Sequence, residues 1–156
     1  MAANFTTTGS NTYPAGITLQ TEHMVSTTYK SMTSTSWTTT NLTDSITVQS
    51  ATSVIHITVA IQLLIYPGAV TGWLRVNEST TSFEQILSSY WGAYDEETGG
   101  SGAFINIHDH NQSASTTLTY TINMRCYVAS GSGFRINDYF SAGPGYSAMT
   151  LTEIQA

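Results

Sequence analysis

The stretch IHDHN, Ile107 to Asn111, holds two imidazoles, His108 and His110, around one acid, Asp109. Histidines two apart on a strand project to one side and can share a metal ion. Such a site needs further donors. NQSAST follows without an acid, and no histidine comes after His110. The segment therefore reads as a turn joining two strands, with solvated imidazoles and Asp109 bonding local backbone. His108 and His110 stay as the candidate metal pair, which three copies of the loop could complete at a symmetry axis. No cofactor is expected.

Other reactive groups point away from catalysis. A hydrolase triad needs an activated nucleophile, a histidine and an acid, and no nucleophile-elbow motif is present. Cys126 falls on the apolar face of its segment, where a thiol is inert. Asp95, Glu96 and Glu97 lie in YDEETGGSG, which lacks the spacing of an EF-hand loop and reads as solvated. No enzyme is expected. Trp73, Tyr90, Trp91 and Tyr94 can stack on sugar rings if exposed; core or subunit-interface packing is the commoner use of such residues. Glu153 is in phase with Met149 and Leu151, so it either sits beyond a bulge or meets a donor such as Arg125 or Arg135.

Strands must position these groups. In SVIHITVAIQLLIY the odd positions Ile55, Ile57, Val59, Ile61, Leu63 and Ile65 are all apolar. In LTYTINMRCYV, Leu118, Tyr120, Ile122, Met124, Cys126 and Val128 share one face, with Thr119, Thr121, Asn123 and Arg125 on the other. A period of two over such lengths marks half-buried antiparallel strands. Weaker alternation predicts Ile46 and Val48 together, and Leu74 and Val76 opposite Trp73 and Arg75. It also groups Ala103, Ile105 and Ile107 on one face, and Met149 with Leu151. SFEQILSSYW has Phe83, Ile86, Leu87 and Tyr90 at helical spacing and a Ser82–Gln85 capping box, so it is the one candidate short helix, or else an irregular loop. Pro67-Gly68, Gly99-Gly100-Ser101-Gly102, Gly131-Ser132-Gly133 and Gly143-Pro144-Gly145 supply breaks. Residues 1–16 read as a flexible arm and 17–156 as one domain. The expected fold is an all-β antiparallel sandwich, a jelly roll.

Composition narrows the partners. Of 156 residues only 9% are charged, the net charge is −6, and 46 are Ser or Thr. An ordinary soluble domain carries roughly 25% charged residues. A folded chain with so few needs a hydroxyl- and amide-covered surface or burial in an assembly. Thr27 to Ser50, rich in threonine, therefore reads as outer strands rather than linker, with Trp37, Ile46 and Val48 packed. The four basic residues, Lys30, Arg75, Arg125 and Arg135, are scattered, which argues against nucleic acid. No apolar run suits a bilayer, and the N-terminus shows no leader pattern, so folding in a reducing cytoplasm is expected. The single cysteine allows no intrachain disulfide. Sequons at Asn4, Asn41, Asn77 and Asn111 are what a chain this rich in Ser and Thr supplies by chance.

Three segments, STTYKSMTSTSWTTTNLTDSITVQSATSVIHITVAI, HDHNQSASTTLTYTINMRCYV and AMTLTEIQA, resemble small β-sandwich virion proteins of tailed bacteriophages, over residues 22–154. Val54 stands where the pattern has lysine, and His110 or Asn111 where it has proline. The resemblance implies a jelly-roll or tumour-necrosis-factor-like sandwich, assembled as a homotrimer on the virion after synthesis in the host cytoplasm. It covers capsid decoration (cement) proteins, head fibres and tail-fibre tips. The short arm favours decoration, with Phe5 and Tyr13 as capsid-docking anchors and the major capsid protein or other virion proteins as partners. The alternative is a tail-fibre or receptor-binding tip that holds a host surface glycan. Neither role involves nucleic acid or a membrane.

Overall fold

The structure is a computed structural model that describes residues 14–65, 71–91, 98–126, 134–137 and 145–156. Every element among them is a strand. In chain order they are β1 (Thr18–Ser26), β2 (Lys30–Met32), β3 (Thr38–Thr47), β4 (Ser53–Ile65) and β5 (Thr71–Glu78). Then come β6 (Phe83–Trp91), β7 (Thr98–His108), β8 (Thr117–Cys126), β9 (Phe134–Ile136) and β10 (Ser147–Gln155).

The long strands pair as one rolled hairpin. β5 pairs with β6 at its tip, β4 with β7 outside them, then β3 with β8, and β1 with β10 at its base. All these pairs are antiparallel. Rolling brings β10 beside β4 and β5 beside β8, which fixes two sheets. One reads β1-β10-β4-β7, with β9 and β2 continuing beside the far end of β4; the other reads β3-β8-β5-β6. This is the jelly-roll order, and the antiparallel sandwich is as expected.

The two strongest alternations dictate the core. Ile55, Ile57, Val59, Ile61 and Leu63 of β4 are buried against Leu118, Tyr120, Ile122, Met124 and Cys126 of β8. Ile46, Val48, Leu74, Val76, Met149 and Leu151 join them. Thr27–Ser50 is folded, supplying β2 and β3. In β3 the register breaks between Thr39 and Thr43, with Asn41 at φ 68°. Inside that bulge Thr40 is buried, and its hydroxyl donates to the Ile122 carbonyl at 2.8 Å. The side chain thus satisfies an acceptor that the distorted ladder leaves over.

Three expectations are corrected. Gly99-Gly100-Ser101-Gly102 is not a break but lies inside β7, paired with Leu64 to Ile61 of β4. SFEQILSSYW is neither helix nor loop but edge strand β6. Its register against β5 steps from Leu74–Ser88 to Arg75–Ile86, skipping Leu87. One extra residue in an alternating strand shifts the apolar positions to spacings of three and four, which imitates a helix. In β7 the phase is reversed. Phe104, Asn106 and His108 pair with Val59, Ile57 and Ile55, whose side chains face the core. Cross-strand partners share a face, so Ala103, Ile105 and Ile107 point outward. Ile105 is 73% exposed and Ile107 54%.

Candidate functional site

The polar chemistry collects at one end of the sandwich, where the β3–β4, β5–β6 and β7–β8 connections meet. His108 ends β7 on its inward phase, and His110 follows in the connection. Both are buried, at 4% and 2% exposure, so the expected solvated imidazoles are corrected. The reversed phase of β7 is what carries His108 inward. Phe83 then stacks on its ring at 4.1 Å between centroids.

Hydrogen-bond direction can be assigned from groups that only donate or only accept. The Gln112 backbone N–H donates to His110 Nδ1 at 2.9 Å, so His110 is neutral with its proton on Nε2. That Nε2–H donates to Ser53 Oγ at 3.2 Å. The Ser53 hydroxyl accepts that bond and turns its own proton to acceptors, Glu153 Oε1 at 2.5 Å and the Ser50 carbonyl at 2.7 Å. A second chain runs the same way. The Tyr120 hydroxyl donates to His108 Nδ1 at 2.8 Å, and His108 Nε2 donates to Thr81 Oγ1 at 3.2 Å. Thr81 then donates to Glu78 Oε2 at 2.7 Å. Each chain is histidine to hydroxyl to carboxylate.

Each carboxylate also holds a turn. Glu78 accepts from the backbone N–H groups of Thr80 and Thr81, both at 2.8 Å. Glu153 accepts from Gln49 at 2.9 Å and Ser50 at 3.0 Å, and from the Gln20 amide at 2.5 Å. Both acids are 1% exposed or less. The donors to the Glu153 carboxylate are therefore turn amides and neutral side chains, not the expected Arg125 or Arg135.

Burial sets the electrostatics. It pushes both imidazoles below the ordinary histidine range, with the neighbouring ring adding to the effect at His108. Glu78 and Asp109 oppose the shift at His108, and Glu153 and Asp109 oppose it at His110. Burial, then the Glu78 charge, pushes the Tyr120 phenol well above its usual range. At Glu78 burial works to raise the pKa. The hydrogen bonds from Thr81 and Thr80 together outweigh it and hold the carboxyl below its ordinary value.

The direction of these bonds decides the chemistry. A triad histidine must accept the nucleophile's proton. His110 instead gives its proton to Ser53, and its accepting nitrogen is taken by backbone. His108 stands in the same relation to Thr81. The ring centroids of the two histidines lie 6.2 Å apart, nearly perpendicular. Among the described residues no group of three or more His, Cys, Asp or Glu can hold a metal. What this arrangement does is clamp two turns to Glu78, the last inward residue of β5, and to Glu153, an inward residue near the end of β10.

The aromatic candidates divide. Trp73 lies on the outward face of β5, half-buried, with the Arg125 guanidinium 4.7 Å from its ring. Trp37 extends this stack, with Arg75 at 4.3 Å and Arg125 at 4.7 Å from its centroid. Arg75 also pairs with Glu84. Tyr90 and Trp91 belong to the backbone of β6, with side chains outside the described residues. Tyr94, the acidic run Asp95–Glu97, and the arm residues Phe5 and Tyr13 also lie outside them. Cys126 is a buried thiol that donates to the Met32 carbonyl at 3.2 Å.

Sequence reasoning missed Ser53, Glu78, Thr81 and Tyr120 as members of the network. One signal was available. Glu78 follows Leu74 and Val76 in phase, as Glu153 follows Met149 and Leu151. An acid on the apolar phase at a strand end marks a turn clamp when backbone amides lie close.

No protein-family description matches the sequence, and no curated protein does. Among solved structures, the fold is similar to a chain in a structure of infectious bursal disease virus, Gx strain, at 11% identity and a TM-score of 0.34. That match covers 100% of this chain and 42% of the other. Similarity at this level supports no argument about function.

Proposed function

We propose that this protein is a virion structural protein, and more specifically a homotrimeric capsid decoration protein that bridges capsid subunits. The observation that carries the reading is the outward surface of the β1-β10-β4-β7 sheet. Over three consecutive rows it presents only Thr, His, Ala, Val and Ile. A surface without charge can be covered at low desolvation cost, which suits close contact in a lattice. The jelly roll and the sequence resemblance to phage virion proteins agree with this reading. The histidine chains agree with it too, because their hydrogen bonds run the wrong way for a hydroxyl–histidine–acid triad.

The mechanism is mass action. A protein that binds only the assembled shell stabilises it by the free energy of that binding. The alternative, a receptor-binding tip that holds a glycan, draws on the half-buried Trp37 and Trp73. Electron microscopy of particles carrying a tagged copy separates the two. Label spread over the shell supports decoration, label at a tail tip supports the alternative, and particles without label refute both.

A further inference from the structure

The outward residues of β1, β10, β4 and β7 form a grid. Its rows are Thr21–Thr152–His56–Ile107, His23–Thr150–Thr58–Ile105 and Val25–Ala148–Ala60–Ala103. None of the twelve is Asp, Glu, Lys or Arg. Arg135 on β9 pairs with Leu64, two rows beyond Ala60. The polar groups on the β1 side already bond one another. His23 Nδ1 lies 2.8 Å from Thr150 Oγ1, and Thr21 donates to Thr152 at 3.4 Å. Covering them therefore strands few donors or acceptors.

The apolar weight falls at one side, on β7. Among the described residues β7 pairs with β4 alone, so it forms the edge of its sheet. Its sequence, TGGSGAFINIH, contains no Lys, Pro or acid, the residues that usually keep an edge from pairing. Ile105 and Ile107 thus stand on an unguarded edge strand, both more than half exposed.

We infer that a second copy of this chain covers this surface, with Ile105 and Ile107 at the centre of the contact. The inference rests on the self-assembling reading above and names the face that assembles. Charge selects the occupant. The chain carries −6 overall, so a like-charged second copy meets least repulsion on a face without Asp, Glu, Lys or Arg, and this grid has none. A strongly basic or acidic partner would gain nothing from it. In plan the grid measures about 400 Å², from strand spacing and rise. That is about half a standard footprint per partner, and the open edge of β7 extends it.

The test compares the full-length wild type with the double variant Ile105→Asp/Ile107→Asp by light scattering coupled to size exclusion. Ile86→Asp, exposed on the other sheet, serves as the control. The inference predicts an oligomer for wild type and control, and a single-chain mass for the double variant with an unchanged melting profile. An oligomer that survives the double substitution overturns the chosen face and leaves self-assembly standing. A wild type of single-chain mass overturns both. Should the double variant fail to fold, Ile105→Cys keeps the question open to experiment. Mild oxidation should then give a disulfide-linked dimer on a non-reducing gel, since the native Cys126 is buried. A chain that stays monomeric on that gel overturns the inference.

Discussion

Replacing Glu153 by Gln isolates the turn clamp with almost no change of shape. The carboxylate accepts two backbone bonds, from Gln49 and Ser50, and two from the side chains of Ser53 and Gln20. The Gln variant keeps one oxygen and sets an NH₂ group against donors, so about two charge-assisted bonds are lost. Hydrogen bonds to a charged group contribute about 1.5–3 kcal/mol each. The expected loss is about 3–6 kcal/mol. A domain near the middle of the ordinary range of about 5–15 kcal/mol still folds after that loss. Urea unfolding followed by tryptophan fluorescence should show the midpoint fall with an unchanged slope. The melting temperature should drop on the order of 10 °C. A loss under about 1 kcal/mol would refute the claim that Glu153 anchors the β3–β4 turn.

Three further outcomes follow from the same geometry. Stability should fall as pH drops below 6.5. His108 and His110 bind protons less readily when folded than unfolded, so their contribution is complete above the unfolded value and lost on the way down to the folded one. Each adds a slope of up to about 1.4 kcal/mol per pH unit, and Glu78, lowered when folded, adds its own loss at more acid pH. His110→Gln should flatten the first part of this curve in urea titrations at stepped pH. Arg125→Ala should weaken the fold by about 1–2 kcal/mol through loss of two ring contacts, with altered tryptophan emission. Cys126, buried in the core, should react with a thiol reagent only under denaturing conditions.

The sandwich was legible because β4 and β8 alternate over lengths that leave no other reading. β7 was not, because its apolar residues lie on the opposite phase from its inward ones. Ala103, Ile105 and Ile107 outweigh Phe104, Asn106 and His108 by hydrophobicity. Yet pairing with β4 fixes the register, and a one-residue slip would expel His108 from its partners. β6 was hidden by its bulge at Leu87, which breaks the period that strands are recognised by. The histidine network was half legible. His108 and His110 drew notice by spacing, and Glu153 by phase. Their partners, Ser53, Thr81 and Tyr120, come from strands and turns far apart in the chain, and only the rolled pairing brings them together. Their residue types are too common here to stand out, in a sequence with 46 Ser and Thr.

The central claim is that this jelly roll is a structural component of a virion. Electron microscopy of purified particles at a resolution that separates subunits tests it most directly. Density for this sandwich is expected in stoichiometric copies on the shell, with the Ile105–Ile107 face turned toward another copy. Particles that lack the protein would contradict it.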